Sequence, residues 1–370
     1  MSGQSGATRR RVANSNQNST DFLVSDGGSL RQRTVSSQKT PEQSNDKGKN
    51  EGVAGNKSLD VPKLTLLEEV YLLGLRDTSG FLSFWNDSLS YVLRGCILIE
   101  LALRKRIRVL KDHYTVMTDI IDRPIEVISS VPTGELLLDE ALKVLKNSDK
   151  NRSVLSWMDL LSGETWNIYK AGFQLKQVRS RLAKGLVDKG VLRAEMTSFI
   201  LFDKATHPVQ DYRAKYEVIL RLFDTLGLPR AAALSGKGNS ENLNSQIFNS
   251  STILVGPNGL TSKLRMSNLE APRYYPNEDK QMFALLRRVC LVCAAVAANV
   301  LENPLYHLDM ETRDYAFMRA EELLNIYGHW PYAKDQSIYA DVSETDPSSM
   351  QVEEVVSAVL CVLRKMDKVI

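Results

Sequence analysis

The 370-residue sequence predicts a mainly α protein: a single globular helical domain with a projecting apolar β-hairpin. Apolar residues recur at helical spacing in most segments after residue 61. One segment near residue 200 has the pattern of a hairpin, and no internal repeat or heptad run interrupts this picture. We therefore expect one helical domain over residues 61–370.

Two segments have a different composition. Residues 1–60 and residues 234–272 are rich in Ser, Asn and Gly, and they offer too little apolar surface to offset the entropy of ordering. We expect a disordered arm at 1–60 and a flexible surface insertion at 234–272. The arm holds nine Lys/Arg and six Asp/Glu, so it accounts for the whole net charge of +3. Any anion-binding surface of the domain must come from local clustering.

The first predicted helix, residues 64–75, has Thr65 as its cap and Glu68 in capping-box position. Glu68 and Glu69 are interpreted as surface charges of this helix, as is the pair Asp139 and Glu140. Short strands are expected within 109–131. Further helices are predicted at 88–105, 132–147 with Thr133 as cap, 153–163 ended by Gly163, 167–190, 211–226, 280–301, 310–327 and 352–366.

The segment "VLRAEMTSFILFD", residues 191–203, predicts a hairpin of two short apolar strands about a polar turn. Four consecutive large apolar residues fall in its second strand: Phe199, Ile200, Leu201 and Phe202. Alternation along a strand can bury only one side of this group. We expect the other side to meet lipid or another subunit.

Basic residues concentrate in two stretches, residues 94–111 and 170–193. Arg94 stands alone inside an apolar helix, nine residues after Trp85, and Lys176 and Arg179 share a face of a later predicted helix. Convergence of these side chains would form a pocket for a phosphorylated head group. The alternative for each run by itself is a solvated helix face, and for Arg94 a boundary position with its head in water.

A helix followed by a two-stranded wing also resembles a winged helix, which predicts DNA binding as the alternative function. The balanced charge of the domain and the apolar wing argue against it. Enzyme classes find little support, because neither the four histidines nor Cys96, Cys290, Cys293 and Cys361 have the spacing of a triad or a metal site. The cysteines are expected in the core of a protein from a reducing compartment, with no metal and no cofactor.

No signal peptide is evident in the polar and then basic N-terminus. The longest apolar run, Val289 to Ala298, is shorter than the roughly 20 residues that span a bilayer. We expect any contact with a membrane to be peripheral.

Several long motifs resemble the Golgi phosphoprotein 3 family: "LTLLEEVYLLGLRDTSGFLSFWNDSLSYVLRGCILIELALRKRI", "PTGELLLDEAL", "LLSGETWN", "QLKQVRSRLAKGLVDKGVL", "FILFDKATHP" and "VLENPL". The resemblance covers Leu64 to about Phe223 and about Tyr275 to Tyr327. The insertion at 234–272 departs from the family's usual pattern.

The resemblance implies a helical adaptor, not an enzyme, that binds phosphatidylinositol 4-phosphate on the cytosolic face of Golgi membranes. Such adaptors link the cytosolic tails of Golgi glycosyltransferases to the COPI coat, and nucleic acid is not a partner. The family's lipid pocket matches Trp85, Arg94, Lys176 and Arg179, and its arginine cluster that contacts coatomer matches Arg9, Arg10 and Arg11. Fungal-type members form tetramers through the hairpin, which implies a homo-oligomer here.

Overall fold

The computed structural model describes residues 62–82, 87–111, 117–148, 151–163, 168–198, 203–230, 233, 273–276, 278, 281, 283–332 and 347–366. Within these ranges, helices alternate with only two small sheets, which confirms the predicted mainly α fold. The predicted arm and the predicted insertion lie outside the described residues.

Ten α-helices form the described part of the chain: α1 Leu66–Gly74, α2 Asp87–Leu103, α3 Leu136–Lys146, α4 Val154–Ser162, α5 Val178–Asp188, α6 Tyr212–Leu226, α7 Ala284–Ala297, α8 Glu302–Leu305, α9 Met310–Tyr327 and α10 Pro347–Met366. Two antiparallel hairpins accompany them: β1 Ile107–Val109 with β2 Ile125–Val127, and β3 Glu195–Ser198 with β4 Asp203–Thr206.

Helix α2 is the centre of the core, because it packs against α1, α3, α4, α5, α7 and α10. Its residues from Tyr91 to Ala102 are buried without interruption, as expected for a helix that is apolar on all sides. Gly95 permits the close approach of α10: a Cβ atom at this position would lie 2.9 Å from Val359 Cγ1. The four cysteines are buried and unbonded, as predicted.

The capping box of α1 is confirmed, since Glu68 accepts hydrogen bonds from the Thr65 backbone and Thr65 accepts one from the Glu68 N–H. The interpretation of Glu68 and Glu69 as surface charges is wrong, because both are buried. Lys189 pairs with Glu68 at 2.8 Å. Glu69 belongs to a larger buried network.

This network joins carboxylates and guanidinium groups from four helices. Glu69 of α1 pairs with Arg221 of α6 at 2.9 Å and with Arg287 of α7 at 3.4 Å. Arg287 also reaches Glu100 of α2 at 2.7 Å, and Arg104 reaches the same carboxylate at 2.8 Å. We call the group Glu69, Glu100, Arg221, Glu278, Arg287 and Arg288 the buried ion network.

Glu278 closes the buried ion network from the segment before α7, where it accepts hydrogen bonds from Arg221 and Arg288. Burial opposes ionisation of Glu278, but Arg221 and Arg288 outweigh it and lower its pKa to about 2. Glu100 behaves alike: burial opposes its ionisation, yet Arg287 and Arg104 lower its pKa to about 2. The network therefore consists of charged groups that are compensated inside the core.

Several predicted boundaries moved for local reasons. The Thr133 hydroxyl does not cap α3: it donates to Asp139, and the helix starts later, after Glu135. The single helix predicted over 167–190 is a 3₁₀ turn, Ile168–Phe173, followed by α5, because Gln177 takes a left-handed conformation with φ 53°. The prediction for 280–301 shortens to α7, whose preceding residue Phe283 also has positive φ.

The predicted hairpin is present, but its strands are not the expected ones. β3 is formed by the residues expected as the polar turn, and its register pairs Ser198 with Asp203. The described strand residues are mostly polar and exposed, so "apolar strands about a polar turn" was wrong. Phe199, Ile200, Leu201 and Phe202, which join the two strands in sequence, lie outside the described residues.

The buried ion network generates a stability prediction. We expect Arg287→Met to lower the free energy of unfolding by about 3–5 kcal/mol, because Glu69 and Glu100 each lose a buried partner. Arg319→Met removes an exposed partner of Glu322 and should cost less than about 1 kcal/mol. Urea unfolding of both variants measures the difference, and equal costs would contradict the assigned role.

Candidate functional site

Arg94 is buried, with 6% of its surface exposed. Its guanidinium donates to three backbone carbonyls: Nη1 to Ser90 at 2.7 Å, Nη2 to Leu175 at 2.9 Å and Nε to Leu161 at 3.3 Å. The alternative of a boundary arginine with its head in water is therefore wrong. Arg94 fastens α2 to the end of α4 and to the segment that precedes α5.

The segment before α5 is shaped by two backbone features. Gly163 ends α4 in a left-handed conformation with φ 76°, as predicted for this glycine, and the Gln174 side chain occupies the space where a Cβ atom would be. The Leu175 N–H donates to the Leu161 carbonyl at 3.1 Å. Gln177 then turns the chain into α5 without a side-chain cap on the helix.

The turn at Gln177 leaves the start of α5 facing Arg94 across a cleft of about 220 Å³. The cleft is lined by Ser90, Arg94, Gln177, Val178, Arg179 and Ser180. The first N–H groups of a helix have no partner within the helix and carry a partial positive charge. A cleft that combines such a helix start with two arginines suits a phosphate group.

The structure separates the cations of the second basic stretch by their partners. Arg181 pairs with Glu140, Lys189 with Glu68 and Glu135, and Arg193 with Glu195. Lys176, Arg179 and Lys184 make no ion pair with another described residue. Two of these three flank the turn at Gln177, so uncompensated positive charge gathers at the start of α5.

Arg179 lies half buried beside α1. Burial raises the pKa of Tyr71 to about 12, and the neighbouring Arg179 charge lowers it only in part. Tyr71 therefore stays neutral, and its ring limits the space open to the arginine stem on the α1 side. Arg179 can reach an anion in the cleft while its stem stays in contact with protein.

The structure brings together two of the four residues predicted for the head-group pocket, Arg94 and Arg179. Lys176 is exposed before the turn, and it is not among the described residues that line the cleft. The predicted helical face shared by Lys176 and Arg179 is wrong, because α5 begins after Gln177. Trp85 and the arm residues Arg9, Arg10 and Arg11 lie outside the described residues.

Ser90, Gln177 and Ser180 were missed by the sequence analysis. Ser90 and Arg94 are four apart in a helix, so they share a face, and this spacing could have revealed Ser90. The position of Gln177 had no comparable signal, because non-glycine residues with positive φ are uncommon and were not anticipated here.

Two other kinds of site receive no support. Among the described residues, no three His, Cys, Asp or Glu side chains gather as a metal site would need. In the same part of the chain, no helix combines the length and apolar character needed to cross a bilayer.

The chain is similar to known proteins over most of its length. The family model described as Golgi phosphoprotein 3 (GPP34) matches residues 66–356. Vacuolar protein sorting-associated protein 74 of Eremothecium gossypii is 44% identical over 317 residues, covering 83% of this chain and 84% of that relative. The protein of the same name from Schizosaccharomyces pombe is 42% identical over 319 residues, covering 84% and 83%.

The three carbonyl contacts of Arg94 predict a structural cost. Arg94→Ala should lower the free energy of unfolding by at least about 2 kcal/mol, since a buried charged donor is removed from three acceptors. Lys184→Ala, on the exposed side of α5, should stay within about 0.5 kcal/mol of the unaltered chain. Urea unfolding measures both, and an Arg94→Ala variant of unchanged stability would contradict the fastening role.

Proposed function

Because the chain belongs to the Golgi phosphoprotein 3 family, we propose that it is a peripheral adaptor of the Golgi membrane and not an enzyme. It binds phosphatidylinositol 4-phosphate on the cytosolic face. It links the cytosolic tails of Golgi glycosyltransferases to the COPI coat, so that these enzymes are retained. A cytosolic pool exchanges with the membrane-bound form.

The cleft at the start of α5 is the observation that supports lipid binding. It offers uncapped N–H groups, the Arg94 guanidinium and the Arg179 side chain to one small volume. A phosphomonoester accepts hydrogen bonds on three oxygens, and this donor set matches that requirement. Lys176 approaches the lipid from outside the cleft, where a flexible point charge contacts phosphate without a fixed geometry.

We assign Trp85 to the same site by family resemblance. The described helix α2 begins at Asp87, two residues after Trp85, and Arg94 follows two helical turns later. Trp85 thereby provides the aromatic wall of the head-group pocket in this proposal.

The hairpin supplies a second contact. We assign Phe199 to Phe202, between β3 and β4, to membrane contact or to a homo-oligomer of tetrameric form. Several lipid sites on one assembly would raise the avidity for a membrane. A chain lacking residues 199–202 is expected to be monomeric by light scattering and to bind the soluble head group normally. A deletion that stays oligomeric and still binds liposomes would remove the hairpin from the mechanism.

Lipid binding is tested at Arg179, whose loss does not remove a buried hydrogen-bond network. Arg179→Ala is expected to weaken binding to liposomes containing phosphatidylinositol 4-phosphate by roughly tenfold or more, since a charged hydrogen bond to phosphate contributes about 1.5–3 kcal/mol. Lys184→Ala removes a charge from the same helix away from the cleft and serves as the matched control. Liposome co-sedimentation measures both.

Equal binding by the Arg179 and Lys184 variants would contradict the head-group site. Liposomes of phosphatidylcholine alone and a duplex DNA of similar charge complete the experiment at matched salt. Retention on DNA but not on the phosphoinositide liposomes would favour the winged-helix alternative.

The coat contact is assigned to the arm. Changing Arg9, Arg10 and Arg11 to alanine is expected to abolish coatomer pull-down and to leave liposome binding nearly unchanged, because the cleft residues belong to the helical domain. Alanine at Arg31 and Arg33 removes arm charge elsewhere and is the matched control. Loss of coatomer binding in both variants would show a general charge effect rather than a motif.

A further inference from the structure

The outer face of α9 combines acidic and apolar side chains. Its fully exposed residues are Met310, Glu311, Asp314, Tyr315, Met318, Glu321, Glu322 and Asn325. Every exposed charged side chain of this helix is therefore acidic. Met310 and Met318 are 71% and 66% exposed, although burying such side chains in a contact would be favourable.

A groove of about 680 Å³ runs along the second half of this face. It is lined by Met318, Glu321, Glu322, Asn325, Ile326 and His329, which we call the α9 groove. Arg319 pairs with Glu322 at 2.6 Å, and Arg364 of α10 contacts His329 at one end. Glu321 has no ion pair with another described residue. The α9 groove thus offers methionine and isoleucine surface beside a carboxylate open to a cation.

The segment 234–272 leaves the domain next to this helix. The Tyr315 hydroxyl of α9 lies 3.7 Å from the position that a Cβ atom would take at Gly227, which ends α6. Arg230 pairs with Asp224 and so fixes the chain just before the segment departs. The segment returns at Arg273, whose backbone N–H donates to Glu217 of the same helix α6. Both of its ends are therefore held on α6, which packs against α9.

The reach of the segment is sufficient. A coil of the length of residues 234–272 has an r.m.s. end-to-end distance of about 30–40 Å. Helix α9 is about 27 Å long. Every point of the α9 groove lies within this range of the C-terminal end of α6.

One stretch of the segment has the complementary chemistry. "SKLRM", Ser262 to Met266, alternates basic and apolar residues. In an extended chain Lys263 and Arg265 point to one side, and Leu264 and Met266 to the other. The basic side suits Glu321 and Glu322, and the apolar side suits Met318 and Ile326. No other stretch of residues 234–272 carries two cations within three positions.

We propose that Lys263–Met266 of the insertion binds in the α9 groove of the same chain. The insertion then acts as a tethered ligand, which keeps this acidic and apolar surface from binding other basic peptides. Tethering supplies an effective concentration of roughly millimolar, so a weak contact suffices to fill the groove. This inference is independent of the lipid site.

A synthetic peptide of residues 259–269 tests the proposal by fluorescence anisotropy. We expect weak or undetectable binding to the unaltered chain, whose groove is filled. In a full-length variant with residues 261–266 replaced by a Gly/Ser stretch of equal length, the peptide should bind at least about tenfold more tightly. Lys263→Glu with Arg265→Glu in the chain should open the groove in the same way.

The groove itself is tested by a matched pair of exposed charge reversals, both made in the Gly/Ser variant. Glu321→Lys should abolish peptide binding, and Asp188→Lys on α5 should leave it unchanged. Failure of the peptide to bind the Gly/Ser variant would overturn the proposal. So would an opening of the groove by deletion of residues 1–60, because the arm would then be the occupant.

Discussion

The fold depends on compensating several charges that its helices carry into the core. Glu69, Glu100 and Glu278 are buried with Arg221, Arg287 and Arg288, so α1, α2, α6 and α7 can pack only where these groups meet. An unpaired charge in such a position would cost several kcal/mol, which penalises most alternative arrangements of four otherwise interchangeable apolar helices. The buried ion network therefore acts on specificity more than on cohesion, which the apolar core supplies.

The same constraint explains where the candidate site lies. Most arginines and lysines of the basic stretches are committed to carboxylates or, like Arg94, to backbone carbonyls. Only the cations around the turn at Gln177 keep uncompensated charge, and there the chain also exposes the start of α5. Arg94 serves both purposes, because the carbonyls that hold its guanidinium also fix the wall of the cleft. Structure and binding are thus coupled through one side chain.

Much of this could be predicted from the sequence. The capping box of Thr65 and Glu68, the end of α4 at Gly163 and helix α9 follow local rules, and each was confirmed. The burial of Glu69 was missed, because its partners are 152 and 218 residues away and no local pattern connects them. The break before α5 was missed because Gln177 adopts a conformation that its sequence does not favour. Arg94 and Arg179 were found by family resemblance and by the rarity of an arginine in an apolar helix.

The segment that returns from residues 234–272 has a consequence for length variation among related chains. Tyr275 stacks on Arg221 at 4.0 Å, and Glu278 holds two arginines of the core, so the return point is fixed independently of what precedes it. The other end is fixed at the C-terminus of α6. Between two anchored ends, doubling the number of intervening residues costs only about 0.6 kcal/mol in closure entropy. Natural selection can therefore lengthen, shorten or replace this segment while the helices keep their arrangement.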